Sequence, residues 1–124
     1  MIIIIVLILL VIFLIFCNNQ NNHTIYGKVG RTISEKKRGL MYRKNKLKYN
    51  EGMLFKYTYK NNSMWMKNTY IPLDVIFLDS EMNIVGYVKD TVPLSLKSIS
   101  IDKKSNNVLE MNSGSIWLFW YENR

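Results

Sequence analysis

The chain begins with a run of apolar residues that no later part of the sequence repeats. Residues 1–17 contain no charged residue, no Gly and no Pro, and as a helix rising about 1.5 Å per residue they would span roughly 25 Å. That length is slightly below the roughly 30 Å core of a bilayer and above the about 7–15 apolar residues of a signal peptide. Residues 18–23 are polar throughout and predict a tether. We therefore expect an apolar helix, a tether and one folded domain over residues 24–124.

Short alternating or apolar stretches after the tether predict strands. The stretch from Leu73 to Asp79 is apolar on both faces between its two acids, Asp74 and Asp79, which is typical of a strand covered on both sides. Residues 80–83 form a connection of hairpin length to the strand that follows. The expected strands or extended pieces are residues 24–29, 53–59, 64–67, 73–79, 84–88, 98–101 and 108–111.

A single short helix interrupts this pattern. It is predicted over residues 35–41, with Thr32 or Ser34 as the N-cap and Glu35 in the first turn. Many short strands leave many edges to protect, which favours a closed or half-closed barrel over an open sheet. The expected fold is mainly β within the α+β class, a small β-barrel-like domain with one or two short helices, preceded by an N-terminal apolar helix.

Four separated strings of sequence carry a resemblance to a known family. They are residues 38–43 (RGLMYR, the first string), 50–55 (NEGMLF, the second), 65–77 (WMKNTYIPLDVIF, the third) and 109–114 (LEMNSG, the fourth). In this order and spacing, over about residues 28–114, they resemble the bacterial and archaeal family called domain of unknown function 192. The resemblance implies a small β-rich domain, often behind a signal sequence or lipid anchor, and it implies no activity. The family usually ends in a short helix and a closing strand, so the aromatic tail at 115–124 either replaces that strand or belongs to a truncated copy.

The junction of apolar run and tether suggests where the protein resides. Cys17 stands at this junction with Leu14 three residues before it, a position that resembles the lipid-acceptor Cys of bacterial lipoproteins. An uncleaved anchor and plain secretion are the alternatives. Basic residues follow the run, and by the positive-inside rule a spanning helix would hold the domain in the cytoplasm, whereas a cleaved or lipidated segment acts as an export signal. We expect attachment to the membrane through residues 1–17, in the cell envelope, with the domain extracytoplasmic.

The charge balance bears on partners. Lys and Arg number 17 against 9 Asp and Glu, a net charge of +8 that lies entirely after residue 17. No recognised nucleic-acid motif accompanies it, so no nucleic-acid partner is expected. The densest basic patch, at residues 36–48, suits an anionic lipid or an anionic envelope polymer, and an ordinary solvated face is the alternative.

Ten residues of the third string, 65–74, contain a group of side chains of the types that bind ligands. An aromatic ring beside polar groups at a strand end is what a small polar ligand such as a sugar needs. The alternative is structural: the amide and hydroxyl form a turn, and the lysine pairs with a nearby acid. Arg43 and Glu51, expected to form an ion pair or loop clamp, complete the candidate set. The group itself consists of Trp65, Lys67, Asn68, Thr69 and Asp74.

Groups suited to catalysis are sparse. His23 is the only histidine and lies in the tether, so the domain has no His base. Cys17 belongs to the apolar segment, which leaves no nucleophilic Cys. Without a Cys and His cluster zinc is not supported, and no cofactor is expected. Met64 and Met66 would share a face of an extended piece, and their thioethers suit copper(I), although Met is also a common core residue.

These observations favour a non-enzymatic, membrane-anchored domain that binds a small polar or anionic ligand. Two alternatives stay open. One is a hydrolase acting on an envelope substrate through Asp74, Lys67 and Thr69, and the other is copper(I) binding through Met64 and Met66.

Overall fold

The computed structural model describes residues 1–9 and 24–120 of the chain. Residues 2–9 are helical, and their apolar side chains are exposed. Within the two described ranges, no helix combines the length and apolar character needed to cross a bilayer. Cys17 and the tether at 18–23 lie outside the described residues.

Seven strands and two short helices occur within residues 24–120, which confirms a mainly β fold with a few short helices. The strands are β1 (Tyr26–Gly30), β2 (Glu51–Lys60), β3 (Ser63–Met64), β4 (Leu73–Leu78), β5 (Ile84–Val88), β6 (Ile99–Ser100) and β7 (Ser105–Asn112). The helices of the domain are α1 (Ile33–Arg38) and α2 (Trp117–Trp120). The main sheet has the order β1-β2-β7-β4-β5, and β3 and β6 pair separately. In the main sheet only the β1–β2 pair is parallel.

This main sheet is open, which corrects the prediction of a closed or half-closed barrel. β1 and β5 are its outer strands, and in the part of the chain that the structure describes no pairing joins them. A closed barrel protects its strand edges by pairing them. Here the two edge strands have only five residues each, and short edges are one way in which open sheets limit unwanted pairing.

The central strands are covered on both faces, as the apolar pattern of residues 73–78 predicts. Every residue of β4 is buried, and its side chains alternate between two core clusters. Val75 and Phe77 belong to the first cluster, whereas Ile76 and Leu78 belong to the second. The aromatic tail covers the second cluster, because Ile116 is buried in it and residues 118–119 pack against it.

Helix α1 begins and ends on local signals. Of the two expected caps Thr32 is the one used, in a reciprocal capping box with Glu35. The helix begins two residues earlier than predicted and ends at Arg38, because Gly39 takes a positive φ of 47°. A Cβ at Gly39 would lie 3.2 Å from the Phe55 ring. The chain therefore turns back over the sheet at this glycine.

One end of the main sheet gathers most of the quoted strings, and we call it the motif end. The register pairs Tyr26 with Glu51, Gly52 with Met111 and Leu73 with Asn112. The starts of β1, β2 and β4 and the end of β7 therefore lie together. The second string starts here, the third crosses into β4 here, and the fourth ends here.

Candidate functional site

A cleft of about 420 Å³ lies at the motif end. Residues 38–43, the whole of the first string, form one side of it, and residues 51–53 of the second string form the other. Gly27 lies in the lining where β1 runs close to β2, and a Cβ there would lie only 1.6 Å from the Gly52 carbonyl oxygen. The remaining lining residues are Lys28, Glu35 and Leu47. Two strings that are apart in sequence thus share one concave surface.

One wall of the cleft is held by the ion pair of Arg43 and Glu51. Arg43 Nη2 donates to Glu51 Oε1 at 3.2 Å, and the backbone N–H of Lys48 donates to the same oxygen at 2.9 Å. Arg43 Nε donates to the Asn45 carbonyl at 3.0 Å. The pair therefore clamps the loop between the first and second strings, which is the arrangement that the sequence favours for these residues.

Two further cations line the cleft with no carboxylate partner among residues 1–9 and 24–120, namely Lys28 and Arg38. The guanidinium carbon of Arg38 lies 6.0 Å from the centre of the Tyr42 ring. The nearby acid Glu35 is engaged in the capping box, and hydrogen bonding with Thr32 lowers its pKa. Because the acids of the lining are already engaged, the unpaired charge in the cleft is positive.

The floor of the cleft is tied to the end of β7. Asn112 Nδ2 donates to the Leu47 carbonyl at 2.6 Å, and the Leu47 N–H donates to Asn112 Oδ1 at 3.0 Å. These two bonds join residues 65 positions apart in sequence. The fourth string therefore supports the cleft without lining it.

Glu110, also in the fourth string, is a buried acid on β7, the strand next to the β2 residues that line the cleft. It pairs in register with Met53, a lining residue, and the two side chains share a face of the sheet. Glu110 is 5% exposed, and within the described ranges its carboxyl group makes no hydrogen bond or ion pair. Burial raises its pKa to about 8, so it is largely protonated at neutral pH. The pKa of Tyr57 is also raised, first by burial and then by this carboxyl group.

Sequence reasoning missed Glu110 as a site residue. The available signal is an acid in the middle of an otherwise apolar strand segment, residues 108–111. An acid at such a position is either paired or neutral when the strand is buried on both faces.

The predicted group at 65–74 does not converge on one ligand position. Lys67 Nζ lies 5.1 Å from the centre of the exposed Trp65 ring. Asn68 Nδ2 donates to the Tyr42 hydroxyl at 2.8 Å, and Asn68 has a positive φ of 53°. Thr69 Oγ1 donates to the Lys67 carbonyl at 3.1 Å. Asn68 and Thr69 therefore form the turn that was the structural alternative.

Asp74 is fully buried on the other face of the sheet. Its Oδ1 accepts the backbone N–H of Asp90 at 3.0 Å, and its Oδ2 accepts that of Ile116 at 2.9 Å. Both carboxyl oxygens are thus used to fix two loops. The structure does not place Asp74 with Lys67 and Thr69 as the hydrolase alternative requires.

The two methionines offered for copper(I) are engaged by hydroxyl groups. Met64 Sδ accepts from the Tyr57 hydroxyl at 3.5 Å, and Met66 Sδ accepts from Thr91 Oγ1 at 3.2 Å. Met66 is buried in the first core cluster and Met64 packs against it. No group of three or more His, Cys, Asp or Glu side chains suited to a metal ion occurs in the described part of the chain.

Comparisons with known proteins agree with the resemblance of the four strings. The family model for domain of unknown function 192, described as "Uncharacterized ACR, COG1430", matches residues 15–118. A crystal structure from Sinorhizobium meliloti, of a protein proposed to be a transcription regulator, is 33% identical with a TM-score of 0.73, covering 77% of this chain and 74% of its own. A protein of unknown function from Novosphingobium aromaticivorans is 30% identical with a TM-score of 0.72, covering 77% and 69%. No curated protein matches the chain significantly.

Proposed function

The chain belongs to the domain of unknown function 192 family, and we propose that it is a membrane-anchored cell-envelope domain that binds a small anionic ligand without catalysing a reaction. The main support for an anionic ligand is the cleft, which is lined by two of the quoted strings. Within it, Lys28 and Arg38 have no carboxylate partner among the described residues. Cations left unpaired in a concave site are the recognition groups that phosphate and carboxylate ligands use.

The size and donors of the cleft narrow the ligand class. A cleft of about 420 Å³ lies toward the lower end of ligand pockets, roughly 300–1,000 Å³. Arg38 offers a planar fork that can bind two oxygens of one anionic group, whereas Lys28 offers a point charge. The exposed Tyr42 ring adds an apolar surface at the rim. A sugar phosphate or a small hydroxy acid has this combination of charge and size.

The hydrogen bonds of the two acids that line the cleft support binding without catalysis. Glu51 is engaged by Arg43 and by the Lys48 N–H, and Glu35 is engaged by Thr32. The sole His and Cys of the chain precede the folded domain. Both acids that line the cleft therefore already accept hydrogen bonds, which disfavours proton transfer from a ligand to either of them.

Membrane anchoring is supported by the start of the chain. The apolar side chains of residues 2–9 are each at least half exposed, and a continuous apolar surface of this kind marks a site that lipid or another apolar partner covers. We propose attachment through residues 1–17, with lipidation at Cys17, and an extracytoplasmic domain.

Ligand binding can be tested by thermal unfolding of the detergent-solubilised full chain with a small panel. The panel contains inorganic phosphate, glucose 6-phosphate, citrate and galacturonate, with glucose as the neutral control. We expect at least one anionic compound to raise the Tm, and Arg38→Ala to weaken its binding about tenfold or more, the loss of one charge-assisted contact. Lys37→Ala, which removes the same charge from an exposed neighbour outside the cleft, should leave binding unchanged.

The proposal fails if no anionic compound stabilises the chain, or if Lys37→Ala weakens binding as much as Arg38→Ala. A DNA duplex in the same panel tests for this chain the regulator role proposed for the Sinorhizobium meliloti relative. Stabilisation by the duplex alone would replace the small ligand as the partner.

A further inference from the structure

The loop that follows β5 exposes aliphatic side chains at every second position. Val92 is 68% exposed, Leu94 is 56% exposed and Leu96 is 68% exposed. Exposed apolar residues are ordinary when scattered, but three of them concentrated in one short loop, which we call the patch, are a feature of interaction sites. The ligand cleft does not include these residues.

Backbone hydrogen bonds hold this loop in place. The Leu94 N–H donates to the Thr69 carbonyl at 3.0 Å, and the Met66 N–H donates to the Ser95 carbonyl at 3.1 Å. Leu94 itself has a positive φ of 65°, a conformation that is unfavourable for a residue with a branched side chain. The fold therefore maintains a strained backbone while the leucine side chain stays in solvent, which is typical of a functional surface.

Aromatic residues and lysines accompany the patch. Trp65 and Tyr70, each 45% exposed, lie on the segment to which the loop is bonded. Trp and Tyr are the side chains that favour the boundary between hydrocarbon and water. Lys67 and Lys97 are exposed on the same two segments. This pattern of aliphatic tips, aromatic rings and cations complements an anionic lipid surface.

Two charged residues beside the loop leave the net charge around it positive. Lys89 adds a further cation just before the loop, 5.6 Å from the Trp117 ring centre. Asp90 is the nearby exposed acid, and its Oδ1 accepts a hydrogen bond from Ser113 Oγ.

The topology places the patch at the end of the sheet where the chain enters the domain. Thr91 donates its N–H to the Leu73 carbonyl at 2.9 Å, and Leu73 starts β4 at the motif end. Tyr26 starts β1 at the same end, because it pairs with Glu51. The apolar run at 1–17 precedes Tyr26 closely in sequence. If that run is in a membrane, the motif end is the end held near the lipid.

We infer that residues 91–98, with Trp65 and Tyr70, dock the domain onto a bilayer that contains anionic phospholipid. The orientation rests on the anchoring proposed above, whereas the docking surface rests on the exposed side chains and their charges. Docked in this way, the loop inserts its aliphatic tips and the lysines meet phosphate groups. The cleft, also at the motif end, then lies close to the membrane surface.

The test uses the full chain in vesicles of phosphatidylcholine, with or without phosphatidylglycerol. Brominated lipid quenches tryptophan at short range, and Trp65→Phe separates the Trp65 signal from that of Trp117 and Trp120. We expect stronger quenching of Trp65 and slower amide exchange over residues 91–98 when phosphatidylglycerol is present. Leu94→Ser with Leu96→Ser should remove both effects, whereas Ile33→Ser, at an exposed aliphatic residue of α1, should remove neither.

A second matched pair of variants tests the contribution of lysine charge to docking. Lys67→Gln with Lys97→Gln should abolish the dependence on phosphatidylglycerol. Lys103→Gln with Lys104→Gln, two exposed lysines just before β7 at the opposite end of the sheet, should retain it. Equal effects of the two double variants would show that only net charge matters and would overturn the docking surface.

Flotation of the chain with the vesicles reports anchoring separately from docking. A chain that floats while Trp65 stays unquenched and the loop exchanges freely overturns the docking inference and leaves anchoring intact. A chain that does not float overturns the anchoring. If Trp65 is also unquenched in that case, the anchoring and the docking surface are both overturned. A dimer in detergent that Leu94→Ser with Leu96→Ser converts to monomers would identify a second copy as the occupant instead of lipid.

Discussion

Asp74 on β4 and Glu110 on β7 are buried acids on opposite faces of one sheet, and their carboxyl groups differ in hydrogen-bond partners. Both are about as inaccessible to solvent as their apolar neighbours, at 0% and 5% exposure. Asp74 faces the second core cluster and accepts two backbone N–H groups, from Asp90 and Ile116. Glu110 faces the first cluster and has no such donor in the described ranges, so burial raises its pKa to about 8.

The difference separates a structural acid from a candidate functional one. Asp74 links the loop after β5 and the start of the C-terminal segment to the sheet, and its oxygens are fully used. Among the residues that the structure describes, no group hydrogen-bonds to the Glu110 carboxyl, and Glu110 pairs in register with Met53, a lining residue of the cleft. A buried acid without a partner costs stability in its charged form, so its presence needs another reason.

The largest expected effect is that of Asp74→Ala. Removing the carboxylate leaves the buried N–H of Ile116 and the partly buried N–H of Asp90 without an acceptor, and we expect the free energy of unfolding to fall by about 3–5 kcal/mol. Urea unfolding of the detergent-solubilised chain, followed by circular dichroism, measures it. Asp74→Asn should be intermediate because one acceptor remains. A loss under about 1 kcal/mol would contradict the role of Asp74 as a clamp.

Glu110→Gln should have the opposite sign and depend on pH. The folded pKa of Glu110 is about 8 against 4.5 for the ordinary group, so the folded chain binds the extra proton between these values. Stability should therefore fall as the pH rises from about 4.5 to about 8. At about pH 9 the variant should be more stable than the wild type by more than about 1 kcal/mol, and below about pH 4.5 the two should agree. Unfolding curves across this range measure the difference.

The control for that experiment is Glu81→Gln, which makes the same chemical change at an exposed turn. It should leave the pH dependence of unfolding between about 4.5 and 8 as in the wild type. If Glu110→Gln keeps the wild-type slope too, the buried carboxyl group has a partner that makes its charged form tolerable.

The smallest effect is expected at a third acid, Asp79, which has partners but lies at the surface. It accepts the N–H groups of Glu81 and Asn83 at 2.9 and 2.8 Å, and hydrogen bonding to Asn83 is the main cause of its lowered pKa. Its stabilisation is present at neutral pH and is lost as the pH falls through the folded pKa. Asp79→Ala should therefore destabilise slightly at neutral pH and converge with the wild type in acid. A larger loss than that of Asp74→Ala would reverse the comparison.

Much of the local structure could be predicted from the sequence, because local structure depends on side-chain period and capping chemistry. The apolar run at 73–78 predicts a strand buried on both faces, and β4 is buried at every position. Residues 84–88 follow as its hairpin partner, and Thr32 and Glu35 predict the start of a helix. The order and spacing of the four strings also identify the family.

The candidate site could be predicted only in part. The pairing of Arg43 with Glu51 can be predicted, since one short loop separates two opposite charges. The cleft between residues 38–43 and 51–53 cannot, because it depends on how Gly39 turns the chain over the sheet. The group at 65–74 was predicted to act together, but Asp74 lies on a strand whose two faces are both covered.

The element types and the buried central strand could be predicted because they follow from residues close together in the chain, and the family could be predicted from four short strings, each readable without the fold. Long-range assembly is responsible for the open sheet, for the bonds between Asn112 and Leu47 across 65 positions and for the absence of a partner for Glu110 within residues 1–9 and 24–120. These depend on which strands pair and in which register, and a shift of one residue would send each side chain to the opposite face. Strand neighbours are chosen by long-range packing, so the protonation of Glu110 and the shape of the cleft exist only once β2, β7 and β4 are assembled.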